Sequence, residues 1–248
     1  MPDISLPCRI IALIQERNRL FACSPGDLEA MIRGYGFRCT RCGRCCTRRI
    51  NDHIFLLDRD VAVAREIDPQ ALEPAPGPEF CDPAGMLYVS GYAVRMKDDP
   101  AGSCWFLDGT RCRIYEQRFS VCRIYPYMHR PVHGAAGEVR WQQFARRGEH
   151  GEYDRGIPES EVQTLARGIL EYEHAFLTQQ IAFLETLHEY FSVQDLRHDR
   201  EMYASQSRRY RRGEPVDVMV YCAGELEKHR ITIPEKPMTP AWQCTGSS

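Results

Sequence analysis

Eight residues constrain this chain more than any other stretch. Cys39-Thr40-Arg41-Cys42-Gly43-Arg44-Cys45-Cys46 carries four thiols at the spacing C-x2-C-x2-C-C. A hydrophobic core would use Leu or Val at such density, and a disulfide framework would spread its cysteines over distant segments. Clustered soft donors suit a metal ion or an iron–sulfur cluster. Gly43 falls between the second and third thiols, where a left-handed backbone turn brings successive sulfurs round one centre. Arg38, Arg41, Arg44, Arg48 and Arg49 crowd the same stretch. They read either as a solvated basic surface or as positive charge that offsets thiolates and lowers their pKa.

The chain has 12 cysteines in 248 residues. Cys104 and Cys112 flank Asp108-Gly109, a strong hairpin signal that folds two thiols back beside one another. Cys122 follows in Cys122-Arg123-Ile124-Tyr125-Pro126. The candidate metal ligands are therefore Cys39, Cys42, Cys45, Cys46, Cys104, Cys112 and Cys122. Their number leaves the metal open. Zinc takes four ligands, so seven thiols exceed one site and fall one short of two. A C-x2-C-x2-C run with a remote fourth Cys is the iron–sulfur pattern, and Cys39, Cys42 and Cys45 fit it. Cys46 would then diverge from Cys45 toward a second centre with Cys104, Cys112 or Cys122. Cys8 and Cys23 are expected as small buried hydrophobes and Cys81 as an unpaired loop thiol. Cys222 and Cys244 have no partner at ligand spacing. His129, His133 and His150 are expected as surface or structural groups rather than ligands.

Hydrophobic residues make up 43% of the chain, enough for a core without staples. With 32 Lys and Arg against 34 Asp and Glu, the net charge of −2 makes no global case for nucleic acid or an anionic membrane as partner. No run approaches the roughly 20 apolar residues of a membrane span. Met1–Pro7 lacks a basic n-region, and Ile10–Ile14 is too short for the h-region of a signal peptide. The expectation is a cytoplasmic protein whose cysteines are thiols.

Two helices are expected before the cysteine stretch, Arg9–Phe21 and one capped at Ser24-Pro25 and ended by Gly34 and Gly36. Asp58 should cap a helix over Arg59–Ile67. Residues 68–83 carry too many prolines for a helix or a central strand. Residues 86–96 alternate as one strand with Gly91 at a bend or bulge, and Val139–Phe144 as another. From Ile157-Pro158-Glu159 to about Phe191, apolar residues recur at spacings of three and four. This 158–191 helix is expected to pack on the core or, alternatively, to form a homodimer seam. Its pattern falls short of sustained heptads, which favours the core. A charged helix over Gln194–Arg212, a strand near Val216–Val220 and a partner strand at Ile231–Ile233 complete the reading. The fold class is α+β: a small irregular cysteine-rich metal-binding core with short strands, covered by long C-terminal helices. The expected division is a cysteine-cluster domain over 1–150 and a helical C-terminal region with a short terminal hairpin over 151–248.

Taken together, C-x2-C-Gly-x-C-C, Cys104-x-Phe-Leu-x4-Cys112-x-Ile-Tyr-Glu-x-Arg and Cys122-Arg-x-Tyr-Pro resemble the YkgJ family of cysteine-cluster proteins over residues 37 to about 130. The resemblance implies zinc or iron chelation, and flagellin lysine N-methylase belongs to the same group. Two features depart from it. Such proteins usually show Arg-Pro after Tyr-Glu, where this chain has Gln117-Arg118-Phe119. Relatives often carry a further Cys ahead of a Gly-Ile pair, whereas Tyr153-Asp154-Arg155 precedes Gly156-Ile157 here. An eighth ligand would then come from Cys81, His150, Asp154 or a residue the sequence does not single out. Three functions follow as expectations: a metal-cluster protein with an electron-transfer or oxidoreductase role, a zinc-stabilised module binding a protein partner the sequence does not identify, or a protein-lysine N-methyltransferase. The third is implied by the resemblance alone, since no Gly-rich nucleotide loop follows a strand. No Ser-His-Asp, carboxylate-pair or phosphate-loop constellation marks a catalytic group.

Overall fold

The apolar spacing of the N-terminal segment folds as helix α1 (Leu6–Leu20). Pro25 opens α2 (Pro25–Tyr35) at the first helical position, where a missing N–H costs nothing. This computed structural model describes residues 5–20, 25–127 and 150–232, and the backbone of 129–133 and 139–143. Phe21, Cys23, Ser24 and the tail from residue 233, including Cys244, lie outside the described residues, as do the side chains of His129 and His133. Leu28 and Ile32 of α2 are fully buried. Only Leu20 of α1 is buried, so Cys8, expected inside, is exposed on a helix covered along one narrow stripe.

After the cysteine stretch come β1 (Phe55–Leu56) and α3 (Asp58–Ile67). Leu57, not Asp58, takes the N-cap position of α3. Asp60, three residues on, accepts the Leu57 N–H at 3.4 Å, the return half of a capping box. The proline-rich segment is more ordered than expected. It forms β2 (Leu72–Pro74) and β3 (Phe80–Cys81), both at sheet edges where proline is tolerated. The expected single strand over 86–96 is two, β4 (Leu87–Val89) and β5 (Tyr92–Val94), in different sheets. The chain breaks at Gly91, where a Cβ would come within 2.9 Å of Gln179 Nε2 and of the Phe55 ring.

β6 (Leu107–Asp108) and β7 (Arg111–Cys112) form the expected hairpin, followed by the five-residue α4 (Ser120–Ile124). β8 (His129–His133) and β9 (Val139–Gln143) pair antiparallel. The long helix is α5 (Glu159–Val193). The charged helix is shorter than expected, α6 (Arg200–Arg211), because Asp195 turns left-handed (φ 51°) and Asp199 caps the new start, accepting Met202 N–H at 2.8 Å. The last elements are β10 (Val216–Cys222) and β11 (Glu225–Ile231). β11 begins six residues before the expected partner strand. Ala223 and Gly224, both at positive φ, make a two-residue turn. The charges of Glu-Leu-Glu-Lys-His-Arg hid β11 from apolar alternation, as suits an edge strand.

The sheets are β1-β5-β2 and β11-β10-β4-β3, with β10 parallel to β4 in the register Val218↔Leu87. This is a mixed α+β architecture. α5 packs against α1, α2 and α4. Its first half enters the larger core through Val162, Ala166, Ile169 and Tyr172. Its second half builds a smaller core from Phe183, Leu184, Leu187 and Phe191 with Phe80, Tyr88 and Tyr221. Among the described residues no helix is long and apolar enough to cross a membrane.

Candidate metal centre

The cysteine stretch contains almost no regular structure, only one 3-10 turn over Arg44–Cys46. Gly43 precedes it in the left-handed region (φ 71°). A Cβ on Gly43 would stand 3.2 Å from Leu107 Cδ1 and from the Thr110 backbone, so the β6–β7 hairpin packs directly on the turn.

Four joins gather the remaining groups. Thr47 pairs with Ser103 across an antiparallel bridge, and the Cys104 N–H donates to the Cys46 carbonyl at 2.8 Å. The β6–β7 register Leu107↔Cys112, turned by Gly109, returns Cys112 to the same place. α4 carries Cys122, and its first residue, Ser120, is fixed by the buried Asp60. Asp60 Oδ1 accepts the Ser120 N–H at 3.0 Å and the Ser120 hydroxyl at 2.9 Å. Finally, residues 35–38 run against 152–155. Arg38 and Glu152 exchange N–H to carbonyl bonds at 2.8 and 3.0 Å, and the Arg155 N–H reaches Gly36 O at 3.0 Å. The backbones lie so close that a Cβ on Gly36 would overlap the Arg155 carbonyl oxygen. This last join brings His150 and Gly151 against the cysteine stretch.

All seven predicted cysteines consequently line one cavity of about 90 Å³. Phe37, His53, Tyr115, Arg118, Tyr125 and His150 complete much of its wall. Cys104 is buried, and the other six thiols are half-buried. The Cys45 and Cys46 sulfurs are 3.9 Å apart, so these adjacent thiols touch rather than diverge. Among the described residues no three His, Cys, Asp or Glu side chains are already closed into a metal-holding arrangement.

The electrostatics of the thiols bear on what the cavity can hold. Burial raises the Cys104 pKa to about 12 against the help of the Phe106 N–H, and nearby Cys46 and Cys112 add to the rise. Burial likewise lifts Cys112, and lifts Cys122 well above the ordinary thiol value, where Cys104, Cys46 and Cys112 reinforce it. The touching pair splits in its tendency to ionise. Its mutual hydrogen bond is the largest effect on both members, raising Cys45 and lowering Cys46. Burial also opposes ionisation of Cys42, but the N–H groups of Arg44 and Gly151, the Thr40 hydroxyl and the Arg44 charge outweigh it and lower its pKa. A multivalent cation between buried thiols that impede one another's ionisation would favour their thiolate forms together. The donor set therefore fits a soft or borderline metal.

The basic residues divide differently from expectation. Arg44 faces a thiol, but the guanidinium that favours the thiolates of Cys46, Cys112 and Cys122 is Arg118, outside the expected basic cluster. Arg118 and Arg41 lie on the Tyr115 ring at 4.0 and 4.1 Å. Arg48 instead pairs with Glu73 at 3.7 Å. His53 and Tyr125 are further wall residues that sequence reasoning missed. Tyr125 could have been found from its place three residues after Cys122, whereas His53 carries no spacing signal. Cys81, expected as a loop thiol, is buried in β3, where its Sγ donates to Asp82 O at 3.4 Å. Neither Cys81, Cys222 nor Asp154 lines the cavity.

Comparison with curated proteins and with solved structures found no match. A family model does match: residues 38–146, a little under half of the chain, fit the CxxCxxCC family, described as "Putative zinc- or iron-chelating domain". The matched segment contains all seven cavity cysteines.

Proposed function

We propose that the cavity is a thiolate metal centre holding an iron–sulfur cluster, and that the protein serves electron transfer or an oxidoreductase reaction. The observation that supports this most is the convergence of seven thiols, three of them from a C-x2-C-x2-C run, on one largely apolar cavity. When bound, such a cluster supplies one-electron chemistry. The chain's own part is to fix its charge and surroundings. Phe106, Phe119 and Ile54 give the cavity an apolar wall, and Arg118 and Arg44 offset negative charge. The N–H groups of Arg44, Gly151, Phe106 and Ile114 stabilise sulfur. The test is anaerobic purification of the full chain followed by a visible spectrum and iron, acid-labile sulfide and zinc analysis. A coloured protein with matched iron and sulfide is expected. A colourless protein with stoichiometric zinc and no iron would overturn the iron–sulfur reading.

Zinc is the second reading, and one distance favours it. Two thiolates on a single tetrahedral zinc at about 2.3 Å would lie roughly 3.8 Å apart, close to the 3.9 Å between the Cys45 and Cys46 sulfurs. The metal would then be structural, in a module that binds a protein partner, and chelation should unfold the loops it holds.

A further inference from the structure

Seven thiols satisfy one four-ligand centre with three left over, or two centres with one donor missing. Cys81, Asp154 and His150 compete for the eighth place by sequence, and only His150 lies in the cavity wall. It is 4% exposed. The 35–38/152–155 pairing holds its segment against the cysteine stretch, and the N–H of its neighbour Gly151 bonds Cys42. Rings on two further sides fix its plane: Phe37 at 6.0 Å and Tyr125 at 5.2 Å between centroids. The Tyr125 hydroxyl lies 2.6 Å from His150 Nε2. Metal-binding histidines are oriented by donating their other ring N–H to a fixed acceptor; in the tautomer with the proton on Nε2, the Tyr125 oxygen accepts that N–H and Nδ1 presents its lone pair. Imidazole suits both zinc and iron.

We propose that His150 is the eighth protein donor of the centre, coordinating through Nδ1 while Tyr125 holds the ring by Nε2. This rests on the thiolate-centre reading. The other imidazole among the described wall residues, His53, is the control. Its Nδ1 stands 3.5 Å from Asp52 Oδ2, and its side chain is 25% exposed.

The test uses full-length protein purified anaerobically with 15N-labelled histidine. X-ray absorption at the metal edge, and pulsed EPR of the reduced protein where the metal is iron, read the coordinating atoms independently of any activity. The wild type should show one directly bound imidazole nitrogen. His150→Ala should lose it and hold the metal about 10- to 100-fold more weakly. His53→Ala should keep it. His150→Cys should restore the metal content with an all-sulfur shell, which also keeps the question answerable if the alanine variant fails to fold. An all-sulfur shell in the metal-loaded wild type, or a bound nitrogen persisting in His150→Ala, would overturn the assignment and leave the thiolate centre standing. A wild type that takes up no metal would overturn both.

Discussion

Gly36 and Gly109 share the left-handed region, with φ of 51° and 57°, yet their surroundings make opposite predictions. Any side chain in this region costs roughly 1–2 kcal/mol of backbone strain. At Gly109 a methyl group would meet nothing within 4 Å, so Gly109→Ala should cost about that strain and no more. At Gly36 the methyl would overlap the Arg155 backbone, which cannot rotate aside. Gly36→Ala should therefore cost clearly more, about 3 kcal/mol or above, and should also lower metal retention by pushing the 150–155 segment off the cysteine stretch. Urea unfolding of the two variants, with metal content measured beside it, checks this. Equal losses would mean that the 35–38/152–155 join does not matter. The contrast also shows which residues were readable. The turn at Gly43 and the Cys104–Cys112 hairpin follow from local chemistry and were expected. The roles of Gly36, Gly151 and His150 arise from a pairing between segments more than a hundred residues apart, and no spacing rule encodes it.

Short elements at this site depend on one another rather than on propensity. A five-residue helix is far below the length that stands alone in water, yet α4 must present Cys122. Asp60 resolves this from another helix. One carboxylate oxygen accepts both the N–H and the hydroxyl of Ser120, and the other accepts the N–H of Leu57, so a single buried residue ties the starts of α3 and α4 together. Asp60→Ala should destabilise the protein by about 2–4 kcal/mol, from lost charge-assisted bonds and newly unsatisfied donors, and should lower the metal-to-protein ratio. Ser120→Ala, which keeps the backbone bond, should cost about 1 kcal/mol. Thermal melts and metal analysis read both effects. Full metal content in a folded Asp60→Ala protein would disprove the dependence of Cys122 on this cap. The long helices were legible because their apolar period is set by their own burial. The start of α6 was not, since a charged sequence continues across the turn at Asp195. The two-residue strands were not legible either, being too short to show any period.

At the scale of the molecule, α5 joins two cores of different character. The smaller, built from Phe80, Tyr88, Phe183, Leu187 and Tyr221, contains no candidate ligand and is held by ring contacts such as Phe80–Phe183 at 6.2 Å and by β10 pairing with β4. The larger includes Cys104, and Cys46, Cys112 and Cys122 pack against it, beside loops with little regular structure. Those loops and α4 bring seven thiols to a shared cavity, and on the reading proposed above a bound cation would contribute there what strands and helices contribute elsewhere. Removing the metal should therefore act locally. After chelation under reducing conditions, amide hydrogen exchange should accelerate across residues 38–54 and 102–124 and at 150–155. Residues 80–89, 177–191 and 216–222 should keep their protection, because their burial and pairing do not pass through the centre. Mass spectrometry of exchanged peptides from loaded and stripped protein gives the map directly. Uniform deprotection would show that the metal holds the whole chain as one cooperative unit. Unchanged exchange in the cysteine loops would show that packing alone supports them, leaving a bound metal free for chemistry rather than architecture.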